Sequence, residues 1–404
     1  MTGNLTLGER IAWYRRRRGL SQAVVAGLIG RTVDWLSKVE NSRIEIDRIS
    51  VLRSLSEALD VSVGDLLNEP SLMEWTTESG ARTVPAVRTA LMDFRQLMPG
   101  GASSQGSTPL PLSTLEASLD EVWLAYQDSR FALVTRLVPA LIADSQAASA
   151  MHSGIDATRA HNVLALAYQV TAATLTKVGE ADLAWIAADR GLNAAQRNAD
   201  PAVLGSLFRA VTHSLLSTGQ YSEAVQMTEQ AASFLDEHMR DADGELLSVY
   251  GTLLLTGSMA AARTDDRGQT RDFLDLAANL ATRLGRDDNH LWTSFGPTNV
   301  AIHRVSTAME LGDVELAVDL GPTIDTSNLP LERRVRHSLE IARALSMRNR
   351  HEEALEAVLD AERLAPEQVR YHYMSRHLVQ TWIRQQRRKP SFELASLADR
   401  LKVL

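Results

Sequence analysis

GLSQAVVAGLIGRTVDWLSKVENSR, residues 19–43, is the stretch whose reading decides the fold of this chain. Ser21 is a good N-cap for a helix over 22–29, Gly30 supplies a turn, and Thr32 caps a second helix running to about Asn41. Two short helices about a tight glycine turn make the helix-turn-helix geometry. Upstream, Leu7, Ile11 and Tyr14 recur at helical spacing, and Gly19 closes that helix near Arg18 as a left-handed cap would. Downstream, helices over 49–59 and 63–67 bring Leu52, Leu55, Leu59, Leu66 and Leu67 into a five-helix core.

This string, together with LSEALDVSVGDLLNEP at 55–70, resembles the Cro/C1-type (XRE) helix-turn-helix regulators over residues 7–67. The resemblance implies double-stranded DNA as a partner and Gln22 as a phosphate or base-edge ligand. It places Thr32, Val33, Ser37 and Lys38 on the outward face of the recognition helix, and pairs Arg15 with Glu40 as an internal salt bridge. A recognition helix enters the major groove N-terminus first, so its first two turns reach base edges. Ser37 and Lys38 are then the readers. Val33 stands where family members often carry Arg or Gln, and is restricted to apolar contact such as a thymine methyl. Asp34 either accepts from a cytosine amine or faces solvent. Arg17 and Arg43 are further DNA-contacting candidates, Arg16 and Arg18 divide between phosphate contact and solvation, and Trp35 points to the core.

Charge supports this division. Residues 1–43 hold eight Lys/Arg against three Asp/Glu, a net +5, so the remainder carries −13 of the chain's −8. Only the basic end suits a polyanion. At 404 residues the chain exceeds a single compact core. Its N-terminus lacks a signal peptide's apolar region and no uninterrupted apolar run suits a membrane span. The absence of cysteine fits a reducing cytoplasm, where a DNA-bound protein would associate with the nucleoid.

Residues 1–70 are thus expected to form the DNA-binding domain. Residues 71–111 form a linker, with one amphipathic helix at 84–98 on which Val87, Leu91, Phe94 and Leu97 or Met98 share a face. That helix has the head, the body or a second subunit as possible partners. PGGASSQGSTPLP, 99–111, reads as a flexible tether. From Leu112 to the end the pattern is helical, and one motif recurs. GQYSEAVQMTEQA at 219–231 and NRHEEALEAVLDAERLAP at 349–366 both carry alanines ten and three residues after an aromatic or His (Tyr221, Ala224, Ala231; His351, Ala354, Ala361). Weaker copies begin at Gly179, with Ala184, and Gly312, with Ala317, and degenerate ones lie near Ser129 and Gly268; the intervals are 50, 40, 49, 44 and 37 residues. The pattern resembles the second helix of a tetratricopeptide repeat. The expected fold is therefore all-α, a five-helix head followed by a tetratricopeptide-like α-solenoid in which the first helix of each of six pairs lines a concave surface.

Polar and aromatic residues on those first helices are the effector candidates: Asn162, Arg209, His213, Trp292, Asn299 and His303, with Arg159, Tyr168, Tyr250 and Arg336 beside them. In LWTSFGPTNVAIHRV, 291–305, Gly296 and Pro297 are expected to break a helix and free its backbone groups for a ligand. No phosphate loop, nucleophile elbow or dinucleotide motif is present, and HEEAL at 351 has Leu355 where a zinc motif needs His, so neither an enzyme nor a cofactor or metal is expected. The layout resembles peptide-sensing regulators of Gram-positive bacteria and repeat-containing regulators of actinomycetes. That resemblance implies a homodimer with a peptide or small-molecule effector. The alternative is a protein-interaction scaffold with a DNA-localising head.

Overall fold

The computed structural model describes residues 6–18, 20–44, 46, 48–59, 61, 66, 83–93, 110–197, 200–385 and 390–403. Side-chain caps start the helices of the head. In α1 (Leu7–Arg17) Thr6 accepts from the Glu9 amide at 2.9 Å while Glu9 accepts from the Thr6 amide at 2.7 Å. Ser21 caps α2 (Gln22–Leu28) and Thr32 caps α3 (Val33–Glu40), with Gly30 between them at φ 64°. α4 (Ile49–Leu59) completes a core of Ile11, Val25, Leu36, Leu55, Leu59 and Leu66. The expected Gly19 cap and nearly all of the fifth helix lie outside the described residues.

α5 (Thr83–Leu91) buries Val84, Val87 and Leu91 on the body, where Arg88 reaches Glu180 at 3.0 Å. Phe94, Leu97, Met98 and most of the tether lie outside the described residues. The body then runs through six antiparallel pairs. They are α6 (Leu112–Gln127) with α7 (Phe131–Met151), α8 (Gly154–Lys177) with α9 (Ala181–Ala195), and α10 (Pro201–Ser217) with α11 (Tyr221–Asp236). There follow α12 (Gly244–Arg263) with α13 (Arg267–Leu284), α14 (Pro297–Leu311) with α15 (Val314–Leu320), and α16 (Leu331–Met347) with α17 (His351–Leu364). Three further helices that the sequence pattern did not announce, α18 (Pro366–Tyr371), α19 (Tyr373–Gln385) and α20 (Phe392–Arg400), close the C-terminal end. α12 is long and apolar enough to cross a membrane, but it is buried at the centre of the body.

All six turns within pairs are built alike. Each holds one residue in the left-handed region: Ser129, Gly179, Gly219, Asp265, Gly312 and Asn349, at φ 60°, 79°, 80°, 63°, 83° and 59°. In each, the next amide reaches back five residues to a helix carbonyl, from Arg130 to Ala125 through to Arg350 to Leu345, at 2.8 to 3.0 Å. This is the Schellman arrangement, which satisfies carbonyls the helix end would leave orphaned. The motif alanines Ala184, Ala224, Ala231, Ala317, Ala354 and Ala361 are all buried where second helices pack on first ones.

The array winds until its ends meet. The Ser129 hydroxyl donates to Gln368 at 2.5 Å, Glu367 accepts from the Ala132 amide at 2.9 Å, and the Gln368 amide donates to the Glu332 carbonyl at 3.0 Å. Lys177, at the end of α8, forms a largely buried ion pair with Glu332 at the start of α16. The head touches this body through Arg48, which donates to the Leu311 carbonyl at 3.2 Å.

Two measurements test this account. No atom lies within 4 Å of a Cβ added at Gly219, whose φ is 80°. Gly219→Ala therefore carries a purely conformational cost, expected at about 1–2 kcal/mol in denaturant melts. Glu332→Gln would strand the Lys177 ammonium, and a loss of about 3–5 kcal/mol is expected near neutral pH. Burial already depresses Lys177 from 10.5 to about 8 in the intact pair, so the folded variant sheds this proton while the unfolded chain still holds it. The loss should accordingly fade as pH rises through about 8, where the intact protein sheds the same proton; a deficit unchanged with pH would contradict the ion-pair account.

Candidate DNA interface and internal cavity

The head is organised around one buried carboxylate. Glu40 receives Arg15 through two bonds, Nε to Oε1 at 2.5 Å and Nη2 to Oε2 at 2.9 Å, while the remaining Arg15 arm donates to the Leu20 carbonyl at 2.9 Å. The Gln22 amide, expected at DNA, donates to the same Glu40 at 2.7 Å. In this structure it serves the hub that locks α1, α2 and α3 together.

α3 presents Val33, Asp34 and Lys38 outward, with Ser37 half-buried and Thr32 spending its hydroxyl on the Trp35 amide at 3.1 Å. Asp34 faces solvent and pairs with Lys38 at 2.7 Å. Such an exposed i,i+4 pair is worth about 0.3–0.5 kcal/mol, so it restrains Lys38 only weakly. Trp35 is half-buried against the core, and Arg31 lies 5.6 Å from its ring. Arg43 is exposed and borders a second cavity, shared with Ile46 and Leu52 of the head and Met374 and His377 of the body. The Arg17 side chain lies outside the described residues.

In the body, the first helices of all six pairs converge on one cavity of about 270 Å³. Trp123 comes from α6, Gln169 and Lys177 from α8, Arg209 and His213 from α10, and Thr256 and Arg263 from α12. His303 comes from α14, Arg333 and Arg336 from α16, and His372 and Tyr373 close the C-terminal side. Of the six sequence-chosen effector residues, Arg209, His213, Trp292 and His303 meet here. Asn162 and Asn299 do not. Asn162 is half-buried near Asp200 at 3.4 Å, and Asn299 is fully buried, donating to the Ser294 carbonyl at 2.9 Å. Of the others, Arg336 lines the cavity, Arg159 is tied to Glu116 on the surface at 2.9 Å, Tyr168 bonds Gln146 at 2.6 Å, and Tyr250 bonds Asp236 at 2.8 Å.

The segment 287–297 also differs from expectation. Gly296 and Pro297 start α14 and do not break a longer helix. The loop before them satisfies its own polar groups: Asp288 bonds the Phe295 carbonyl at 2.9 Å, and Asp287 receives the Thr298 amide at 3.0 Å and its hydroxyl at 2.6 Å. Leu291, Trp292 and Ser294 all adopt left-handed φ, at 43°, 53° and 50°. Each such residue costs on the order of 1–3 kcal/mol. Phe295 anchors the loop by packing on Gly251, where an added Cβ would come within 1.9 Å of the ring. The conformation delivers Trp292 to the cavity, stacked on Trp123 at 5.0 Å and 7°.

Electrostatically the cavity is cationic. Burial, with Arg209 second, holds His213 well below the usual range; burial and then Arg333 push His303 down to about 3. Burial followed by Arg336 holds His372 well below the usual range too, so the three rings are neutral. Burial brings Arg209 down to about 10. Burial alone would raise Glu332, but Lys177, with Arg333 and Arg336, outweighs it and holds the carboxyl at about 2. Lys177, Arg263, Arg333 and His372 went unnoticed in the sequence, although Arg333 lies one helical turn from Arg336 on the same face.

Against known proteins, a helix-turn-helix domain family matches residues 6–69. The HTH-type transcriptional regulator SinR of Bacillus licheniformis is 33% identical over 85 residues, 21% of this chain and 77% of that protein. SinR of Bacillus subtilis (strain 168) is 32% identical over the same lengths. Among solved structures, a Rap protein complexed with Competence and Sporulation Factor aligns over 91% of this chain and 99% of its own, with 11% identity and a TM-score of 0.48. Bacillus thuringiensis PlcR, in complex with the peptide PapR7 and DNA, aligns over 89% and 98%, with 12% identity and a TM-score of 0.33. With its capped α3 carried on a Glu40-centred head and a body of stacked helix pairs, the chain belongs to the XRE-type helix-turn-helix transcriptional regulators.

Proposed function

We propose that this regulator is effector-responsive: it binds a partly palindromic operator as a homodimer through α3, and a small molecule or peptide held in the cavity of the body changes that binding. The observation that carries the proposal is the convergence of six first helices on a single polar cavity. A ligand there touches every pair of the array, so any rearrangement it favours reaches α14, whose terminal Leu311 carbonyl is in contact with Arg48 of the head. Binding shifts such an equilibrium only by its differential affinity for the two arrangements. Residues 71–111 are assigned as linker and 112–404 as the sensing and dimerising body. Two heads spaced about one helical turn, roughly 34 Å, would read the half-sites.

On DNA, Thr32, Val33, Ser37 and Lys38 are assigned to the groove, with Arg17 and Arg43 as further contacts. Gln22 is assigned to a phosphate or a base edge; its amide nitrogen spends one hydrogen on Glu40 and has a second to donate. Genomic selection followed by footprinting with the full chain tests the reading, and absence of any preferred duplex would end it. With the selected site in hand, Lys38→Ala should weaken specific binding by about 1–3 kcal/mol, while Arg17→Ala mainly flattens the salt dependence. Equal loss on random and selected DNA would remove Lys38 from the readers.

A further inference from the structure

The walls of the internal cavity hold five cations, Lys177, Arg209, Arg263, Arg333 and Arg336, against one carboxylate, Glu332. Lys177 and Glu332 neutralise each other, and Arg263 has Glu310 within 3.9 Å behind the wall. Arg209 and Arg336 have no ion pair among the described residues, and Arg333 meets only the already engaged Glu332, at 3.9 Å. All three line the same cavity, Arg209 from α10 and Arg333 and Arg336 from α16.

The hydrogen-bond inventory points the same way. Among the described residues, Trp123 Nε1 and Arg209 Nε on the wall are buried without a hydrogen-bond partner, while the Nε atoms of Arg263 and Arg333 each have a carboxylate oxygen at 3.9 Å, of Glu310 and Glu332. Trp123 itself is 1% exposed. Indole and guanidinium nitrogens donate and cannot accept, so these groups cannot satisfy one another. A single wall acceptor, Gln169 Oε1, is in the same state. These donors and the uncompensated charge of Arg209 and Arg336 ask for an occupant rich in acceptors and negatively charged. The stacked indoles of Trp123 and Trp292 add a flat apolar wall beside them. At about 270 Å³ the space is small even for a ligand pocket.

We infer that the cavity binds a small organic acid: a ring compound bearing a carboxylate or phosphate group, with its acid facing Arg209, Arg333 and Arg336 and its ring against the Trp123–Trp292 wall. This rests on the effector reading above and narrows it to one charge class. A cation or a neutral ligand would leave the guanidinium groups unpaired, and the three neutral histidines supply no counter-charge.

Two dyes of matched shape test it on the full-length protein. Anilinonaphthalene sulfonate carries an acid on an aromatic body, and phenylnaphthylamine is its uncharged counterpart. The sulfonate dye should bind at one site per chain, about tenfold or more tighter than the neutral dye, and lose affinity as salt rises. Arg209→Gln and Arg336→Gln should each weaken it by about tenfold, with Arg209→Lys recovering part of the loss. Melting curves establish that each variant is folded. Displacement by naphthoate or by naphthyl phosphate then assigns the head group, and either result supports the inference. Equal binding of the two dyes, or indifference to both Gln variants, overturns the anion assignment and leaves a ligand-binding body. Failure of both dyes, naphthoate and naphthyl phosphate to bind or shift the melt, in protein that still holds its operator, overturns the inference together with the effector reading.

Discussion

The body depends on how each first helix is turned onto its second. Six turns place a residue in the left-handed region and return the following amide to a carbonyl five residues back. That repeated geometry gives every pair the same antiparallel approach, and the buried motif alanines let the helices come close. A constant relation between neighbours, applied six times, produces a continuous curve. Curvature in turn puts all first helices on the inside, which is why one cavity meets every pair and why residues 129 and 368 form a hydrogen bond. The three turns without glycine use Ser129, Asp265 and Asn349, and Asn and Asp are the residue types that tolerate this conformation best after glycine.

The head rests on a different principle, a single charge satisfied from several directions. Glu40 closes α3, yet its carboxylate holds Arg15 of α1 and Gln22 of α2. Burying a carboxylate is costly unless it is paired and hydrogen-bonded, and here three donated bonds meet it. The orientation of α3 relative to α1 and α2 is therefore set by groups with defined geometry, the bidentate guanidinium above all. The apolar core of Ile11, Val25, Leu36 and Leu55 could be repacked more freely. Lys38, in contrast, is held only by an exposed partner one turn away, so the outward face of α3 is less constrained than its frame.

What the sequence disclosed follows the range of the interactions involved. Caps at Ser21 and Thr32, the turn at Gly30 and the second-helix starts near Ser129, Gly179, Gly219, Gly268, Gly312 and Asn349 are local matters, each legible within a few residues. The Arg15–Glu40 bridge was legible because a resemblance carried it across 25 residues. Closure of the array was not, since Ser129 and Gln368 lie 239 apart and nothing near either announces the other. The same limit explains the mixed result at the cavity. Arg209 and His303 face inward, but whether a polar side chain on a first helix points to the lumen or to its neighbour depends on curvature accumulated over the whole array. Asn299 turns to its own loop because Ser294 offers a carbonyl there. Gly296–Pro297 reads as a break in a helix, yet Pro at a first helical position is equally a start, and the left-handed residues before it decide in favour of the latter.

The charges behind the cavity wall show that the excess inside it is not a general property of this fold. Arg343 is buried as deeply as any cation in the body, and there the chain supplies carboxylates: Glu310 at 3.0 Å and Glu340 at 3.6 Å. Arg400 on the surface has Glu362, and Arg267 has both oxygens of Asp313. These three arginines each meet an acid on a neighbouring helix. Arg209, in the middle of α10 and drawn down to about 10 by burial, would be satisfied by an acid on α8 or α12, the helices packed beside it, but the neighbouring wall positions carry Gln169 and Thr256. The array absorbs the cost of cations it does not neutralise because each first helix is held by its pair partner and by the next pair in line. Stability thus comes from the stacked pairs, while the uncompensated charge lies at the lumen, where the proposed effector would meet it.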